Sequence, residues 1–144
     1  MTVLLDVNVL VALFDPAHID HETCHRWFAT QVDDGWASCP QTENGLVRVL
    51  ANPKYPGRRT TIADAIGRLR EFQSNTQHSF WEDSLSVGSP KWLRIQHIQG
   101  HRQLTDVYLL GLAVHRDAAL ATLDQRINIE AVKGARQRHL QLLK

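Results

Sequence analysis

Apolar residues in this chain come in short unbroken blocks that alternate with stripes at helical spacing. The first block, Thr2 to Leu5, reads as a strand; Asp6 and Asn8 follow, suited to capping, and Val9, Leu10, Leu13 and Phe14 continue at helical spacing. Segment 21–32 places Cys24, Trp27, Phe28 and Val32 on one helical stripe. GWASCP, 35–40, is a second strand bounded by Gly and Pro, and the following QTENGLVRVL repeats Leu46, Val47, Val49 and Leu50 until Asn52-Pro53 stops a helix. Beyond a basic loop at 52–59, Thr60 or Thr61 caps a helix to about Asn75 that carries Ile62, Ala65, Ile66, Leu69 and Phe72. A third strand is expected over 78–84, and Pro90 suits the first turn of a helix with Trp92, Leu93 and Ile95 available for burial. Thr105 or Asp106 caps an apolar helix to about His115, AALATL (118–123) is a fourth strand ending at Asp124, and HLQLL is a last, edge strand. Strands this short and apolar, alternating with helices, predict one α/β domain over 1–144 with a parallel sheet covered on both faces.

A chain of 144 residues with 43% hydrophobic composition is long enough for a single buried core. Its two cysteines, Cys24 and Cys39, are too few for a disulfide framework and lack C-x-x-C spacing, so both read as buried, reduced thiols. The opening run VLLDVNVLVALF (3–14) is broken at its fourth residue by a carboxylate and has no basic leader or cleavage site. It therefore reads as neither signal peptide nor membrane span, and the protein as cytoplasmic. An unpaired charge at that position costs several kcal/mol, roughly, so something must offset it.

Three acids share a placement: Asp6 follows the first strand, Asp124 follows the fourth, and Asp106 starts the helix before it. In an open parallel sheet, carboxyl ends of strands and nearby helix N-termini converge on one crevice, so these carboxylates meet if strands one and four are neighbours. Glu43 joins them if the helix after strand two begins on the same edge. Singly, each has an ordinary use as a favourable charge at a helix N-terminus or as a turn residue. Together, four like charges repel unless cations stand among them, and oxygen-only ligands favour Mg²⁺ or Mn²⁺.

The same stretches carry a resemblance. LLDVNVLVALF, TENGLVRVLANP, LTDVYLLGLAV and ATLDQRI are similar, in order and over nearly the whole chain, to the successive motifs of the PIN-domain family, in particular the VapC toxins of bacterial toxin–antitoxin pairs. The resemblance implies an α/β/α fold with parallel strands ordered 3-2-1-4-5, Mg²⁺-dependent endoribonuclease activity and homodimerisation. It also implies a small antitoxin of the VapB type that blocks the site, and a folded RNA such as tRNA as target. Residue by residue, it assigns metal binding and catalysis to Asp6, Glu43, Asp106 and Asp124, with Asp6 central. Asn8, Thr42, Thr105, Thr122 and Arg48 match accompanying positions that support the ligands or orient substrate. Arg126 departs from the pattern, standing where many relatives have an acidic or aromatic residue, which bears on the second metal position.

Charge then becomes informative. With the four acids set aside, 11 acids face 16 bases and the remainder carries +5, enough to hold an RNA backbone. Arg48, Lys54, Arg58 and Arg59 lie in and before the basic loop, close enough in sequence to line one side of the crevice, and Tyr55 is able to stack on an unpaired base. Water would be the nucleophile, leaving a 5′ phosphate and a 3′ hydroxyl. Two alternatives stand beside this reading. DVNVL also resembles the opening of haloacid-dehalogenase phosphatases, although Asn8 replaces their second acid; and the crevice could belong to a non-catalytic protein-binding module. His18, His21 and His25 lack nearby carboxylate or Cys ligands at fixed spacing, which favours surface or RNA contacts over zinc.

Overall fold

Val3, Leu4 and Leu5 are fully buried and form β1 (Val3–Leu5), the middle strand of the computed structural model, which describes residues 1–144. On one side β1 pairs with β2 (Trp36–Ser38), which pairs with β3 (His78–Phe80); on the other it pairs with β4 (Ala119–Thr122), which pairs with β5 (Leu140–Leu142). All pairs are parallel and the order is β3-β2-β1-β4-β5, the order the resemblance implied. Parallel neighbours need crossovers, and helices supply them. α1 (Val7–Phe14) and α2 (His21–Gln31) join β1 to β2; α3 (Pro40–Leu50) and α4 (Ile62–Asn75) join β2 to β3; α5 (Leu104–His115) leads into β4.

The two-residue period of the strands divides the core. Val3, Leu5, Trp36, Ala119 and Ala121 face the layer of α1 to α4, whereas Leu4, Ala37 and Leu120 face α5. α5 is buried from Val107 to Ala113 because segments 85–98 and 127–135 cover its outer side, which accounts for an apolar helix without a polar stripe. At Gly45 α3 meets α1 so closely that a Cβ there would lie 2.5 Å from Cγ2 of Val7. Both cysteines are free and buried.

Three expectations need correction. The segment after Pro90 is not a helix: Leu93 forms an antiparallel bridge with Val132, Arg94 N–H donates to Ala131 O at 2.8 Å, and Lys133 N–H donates to Trp92 O at 2.8 Å. Those cross-chain bonds take the backbone groups that a helix would have paired internally, and Ile95 ends 72% exposed on a one-turn 3₁₀ helix, Ile95–His97. The third strand stops at Phe80 because β3 is an edge with only β2 to pair. Neither Thr105 nor Asp106 caps α5: the helix starts at Leu104 after a 3₁₀ turn at His101–Gln103, so both lie inside its first turn.

Candidate active site

Asp6 sits where β1 gives way to α1. Its backbone N–H donates to Ala121 O at 3.0 Å, tying it to β4, and its Oδ1 accepts the Val7 N–H at 2.7 Å as the N-cap of α1. Only 4% of the residue is exposed. The other oxygen, Oδ2, accepts from the Thr122 hydroxyl at 2.7 Å. Burial pushes the Asp6 carboxyl above its ordinary range, against the pull of the Thr122 and Val7 bonds, and the Asp124 charge adds to the rise.

Thr122 Oγ is shared. While donating to Asp6 it accepts the Asp124 N–H at 3.0 Å, so one hydroxyl fixes two acids at the end of β4. Asn8 supports the same turn from α1, its Oδ1 accepting the Leu123 N–H at 3.3 Å and its Nδ2 lying 3.5 Å from Thr122 Oγ. Asp124 Oδ1 accepts from the backbone N–H of Arg126 at 2.9 Å and from its Nε at 3.2 Å. Those bonds hold the Asp124 carboxyl below the usual range.

Asp106 reaches this group from the first turn of α5. Its carboxyl is pushed up to about 7 by burial, then by the Asp6 and Asp124 charges, and by a hydrogen bond shared with Asp124. Burial and the neighbouring negative charges thus favour the protonated form of Asp106, whereas the Arg126 bonds favour the ionised form of Asp124. Three carboxylates thus converge with more negative charge than the protein around them offsets. Their donors are all hard oxygens, which fits Mg²⁺ or Mn²⁺ by chemistry and by charge. No three of them already surround a single ion position, so coordination requires the carboxylates to turn.

Glu43 lies at the start of α3, but its bonds go elsewhere. Thr42 Oγ accepts the Cys39 N–H at 2.9 Å and donates to Cys39 O at 3.1 Å, closing the helix N-terminus. Glu43 Oε2 then accepts from the Ser38 hydroxyl at 2.7 Å and from Gln73 Nε2 at 2.8 Å. Ser38 Oγ is also 2.7 Å from His78 Nε2; with the hydroxyl proton on Glu43, that nitrogen donates. Burial, opposed by the Glu43 charge, lowers the His78 imidazole from its ordinary range, and the ring packs on Trp36 with centroids 4.5 Å apart. Ser38, Gln73 and His78 were not singled out from the sequence. The available signal was polarity in apolar places: Ser38 inside a buried strand, and Gln73 continuing the Ile62, Ile66, Leu69 stripe.

The remaining expected residues spread outward. Thr105 is exposed on the first turn of α5. Arg48 and Glu43 line one groove of about 710 Å³ between α3 and α4, together with Arg70 and an apolar floor of Val47, Ile62 and Ile66. Arg58, Arg59 and Tyr55 instead line a cavity of about 1070 Å³ around Asp15, at the end of α1 farthest from Asp6, and none of the four acids borders it. Tyr55 packs against the core and its hydroxyl donates to Asp15 Oδ2, so it is not presented at the carboxylates. Lys54 is exposed in the same loop. The basic loop is therefore separated from Asp6 by the length of α1, about 12 Å at 1.5 Å per residue.

An acidic edge built on a 3-2-1-4-5 parallel sheet defines a class, and residues 3–133 match the family model of the PIN domain. The chain belongs to the PIN-domain family. Within it, the chain is 43% identical over 143 residues to Ribonuclease VapC44 of Mycobacterium tuberculosis H37Rv, covering 99% of this chain and 100% of that one. It is 40% identical over 136 residues to Ribonuclease VapC39 of the same organism, covering 93% and 96%, and 42% identical over 121 residues to Ribonuclease VapC38, covering 84% of each.

Proposed function

We propose that this chain is a Mg²⁺-dependent endoribonuclease toxin, held inactive by a small antitoxin of the VapB type. The observation that carries the reading is the group of Asp6, Asp106 and Asp124, three carboxyl groups brought together at the carboxyl edge of the sheet, in a chain akin over its whole length to a VapC ribonuclease. Asp6, Asp106 and Asp124 would hold Mg²⁺, with Glu43 contributing through Oε1, the oxygen free of hydrogen bonds. Mg²⁺ bound there supplies a Lewis acid for the phosphoryl oxygens and acidifies the attacking water.

The chain's own residues do the rest. Val7 N–H and the Thr122 hydroxyl each bond one oxygen of Asp6 and so anchor the central carboxylate at the junction of β1 and β4. Asp106, raised first by burial and then by the Asp6 and Asp124 charges, would hold Mg²⁺ in its ionised form and so release its proton. Arg48 takes phosphates along the α3–α4 groove beyond Glu43. Lys54, Arg58 and Arg59 then contact backbone farther out, which suits a folded RNA such as tRNA better than a short strand.

The decisive experiment incubates purified protein with labelled RNA, with Mg²⁺ or EDTA, beside Asp6→Ala and Asp106→Ala. Cleavage is expected only with Mg²⁺, to leave a 5′ phosphate, and to fall more than about a hundredfold in either variant. EDTA-resistant cleavage or a 2′,3′-cyclic phosphate overturns the reading. The antitoxin is expected to set a basic side chain among the carboxylates, and excess Mg²⁺ to reverse it. No helix is long and apolar enough to cross a membrane; a cytoplasmic RNA is the target the VapC likeness suggests. Homodimerisation is read from the resemblance and from Val87, Ile95 and Leu104, exposed apolar side chains bordering one shallow depression; light scattering tests it.

A further inference from the structure

We propose that the small cavity between residues 99–103 and the Asp124–Arg126 turn is a phosphate subsite, in which Arg102 and Arg126 hold the RNA backbone beside the carboxylates. It rests on the endoribonuclease reading above. The cavity measures about 210 Å³ and no hydrophobic side chain lines it. Asp124 belongs both to its wall and to the carboxylate group, so a ligand seated there adjoins the acidic edge directly.

The charge of the walls selects the ligand. Two arginines and the single carboxylate of Asp124 line the recess, leaving an excess of positive charge among otherwise polar walls. Arg102 takes part in none of the molecule's ion pairs. The Arg126 side chain is 80% exposed and bonds Asp124 through Nε alone, beside the backbone N–H bond, so both terminal nitrogens remain to grip an anion. The opposite wall is braced, since Gln103 Oε1 accepts the Gln99 N–H at 2.9 Å and Gln103 N–H donates to Gly100 O at 3.0 Å. With Asp124 holding Mg²⁺, Arg126 Nε would be free for phosphate as well. The same residue thus steadies Asp124 before substrate arrives and holds the strand afterwards.

The test is binding of 5′-labelled RNA, a short single strand and bulk tRNA in parallel, to the full chain in Ca²⁺, across a salt series, with turnover in Mg²⁺ measured alongside. Arg102→Ala and Arg126→Ala are each expected to weaken binding about tenfold and to flatten the slope of log Kd against log salt by about 0.7, the share of one phosphate contact. In turnover, KM rises more than kcat falls. Arg126→Lys keeps the slope and loses part of the affinity, because an ammonium keeps the charge without the planar fork. Arg26→Ala, which removes an exposed charge on α2, leaves both readings unchanged. Wild-type binding that neither alanine variant alters overturns the subsite and leaves the ribonuclease reading standing. A wild-type chain that binds no RNA in Ca²⁺ overturns both.

Discussion

Two acidic regions occupy the same edge of the sheet and are built on opposite terms. Around Asp6 three carboxylates press together, and Asp106 keeps a proton up to about pH 7 because its neighbours are negative and water is scarce. Around Glu43 a single carboxylate is surrounded by donors, Ser38 and Gln73 directly and His78 through Ser38. In the first region three carboxyl groups face the one guanidinium of Arg126; the second is already satisfied. On the proposed reading a cation would change the first region's charge state, and Glu43 would meet it with the oxygen its donors leave free.

Gly45 joins the two regions, lying two residues after Glu43 and against Val7, the neighbour of Asp6. Gly45→Ala pushes α1 from α3, and the expected loss is about 2–3 kcal/mol of stability with activity falling in step, read by denaturant unfolding and RNA cleavage. Unchanged stability would mean the regions are not braced against each other. Ser38→Ala removes one donor from Glu43 and its link to His78; Mg²⁺ affinity by calorimetry is expected to fall about tenfold with the fold intact. If affinity holds, the donors around Glu43 serve the fold alone.

A pH experiment sharpens the other region. Because the folded-state carboxyl of Asp106 is raised, its proton stabilises the fold at low pH, and that stabilisation is lost as pH rises from about 4, the unfolded value, through about 7. Without divalent cation, Asp106→Asn should match the wild type near pH 4 and exceed it by about 1 kcal/mol at pH 8. Mg²⁺ should shrink or reverse that gap, since it binds the ionised form. Smallest of all, Thr61→Ala removes the hydroxyl that accepts the Asp64 N–H at 3.0 Å at the start of α4, and should cost about 0.5–1 kcal/mol without touching cleavage.

Much of this was legible because carboxyl-edge acids follow from strand boundaries alone. Once β1 and β4 are read as strands, Asp6 and Asp124 fall at their carboxyl ends; that the two meet depends on β1 and β4 being neighbours, an order only the resemblance implied and the sheet shows. The partners of Glu43 were not legible: Gln73 stands 30 residues away and arrives through the antiparallel packing of α3 and α4. The segment after Pro90 misled for a related reason. Its apolar residues serve distant partners, Leu93 bridging Val132 and Trp92 lying over Gly111, where a Cβ would meet the indole at 2.4 Å. The basic loop was placed by sequence proximity to Glu43, and an intervening helix carried it away.

The Thr122 hydroxyl has a consequence for quality control of the fold. β1 and β4 are aligned Leu5 with Ala121, and the next residues on each, Asp6 and Thr122, meet only in that alignment. A slip of one residue turns Thr122 to the other face of the sheet, strips Asp6 of its donor and detaches the Asp124 turn. A chain that has paired its strands wrongly is thus unarmed by the same error: competence to act is a readout of correct assembly, enforced by a single oxygen atom.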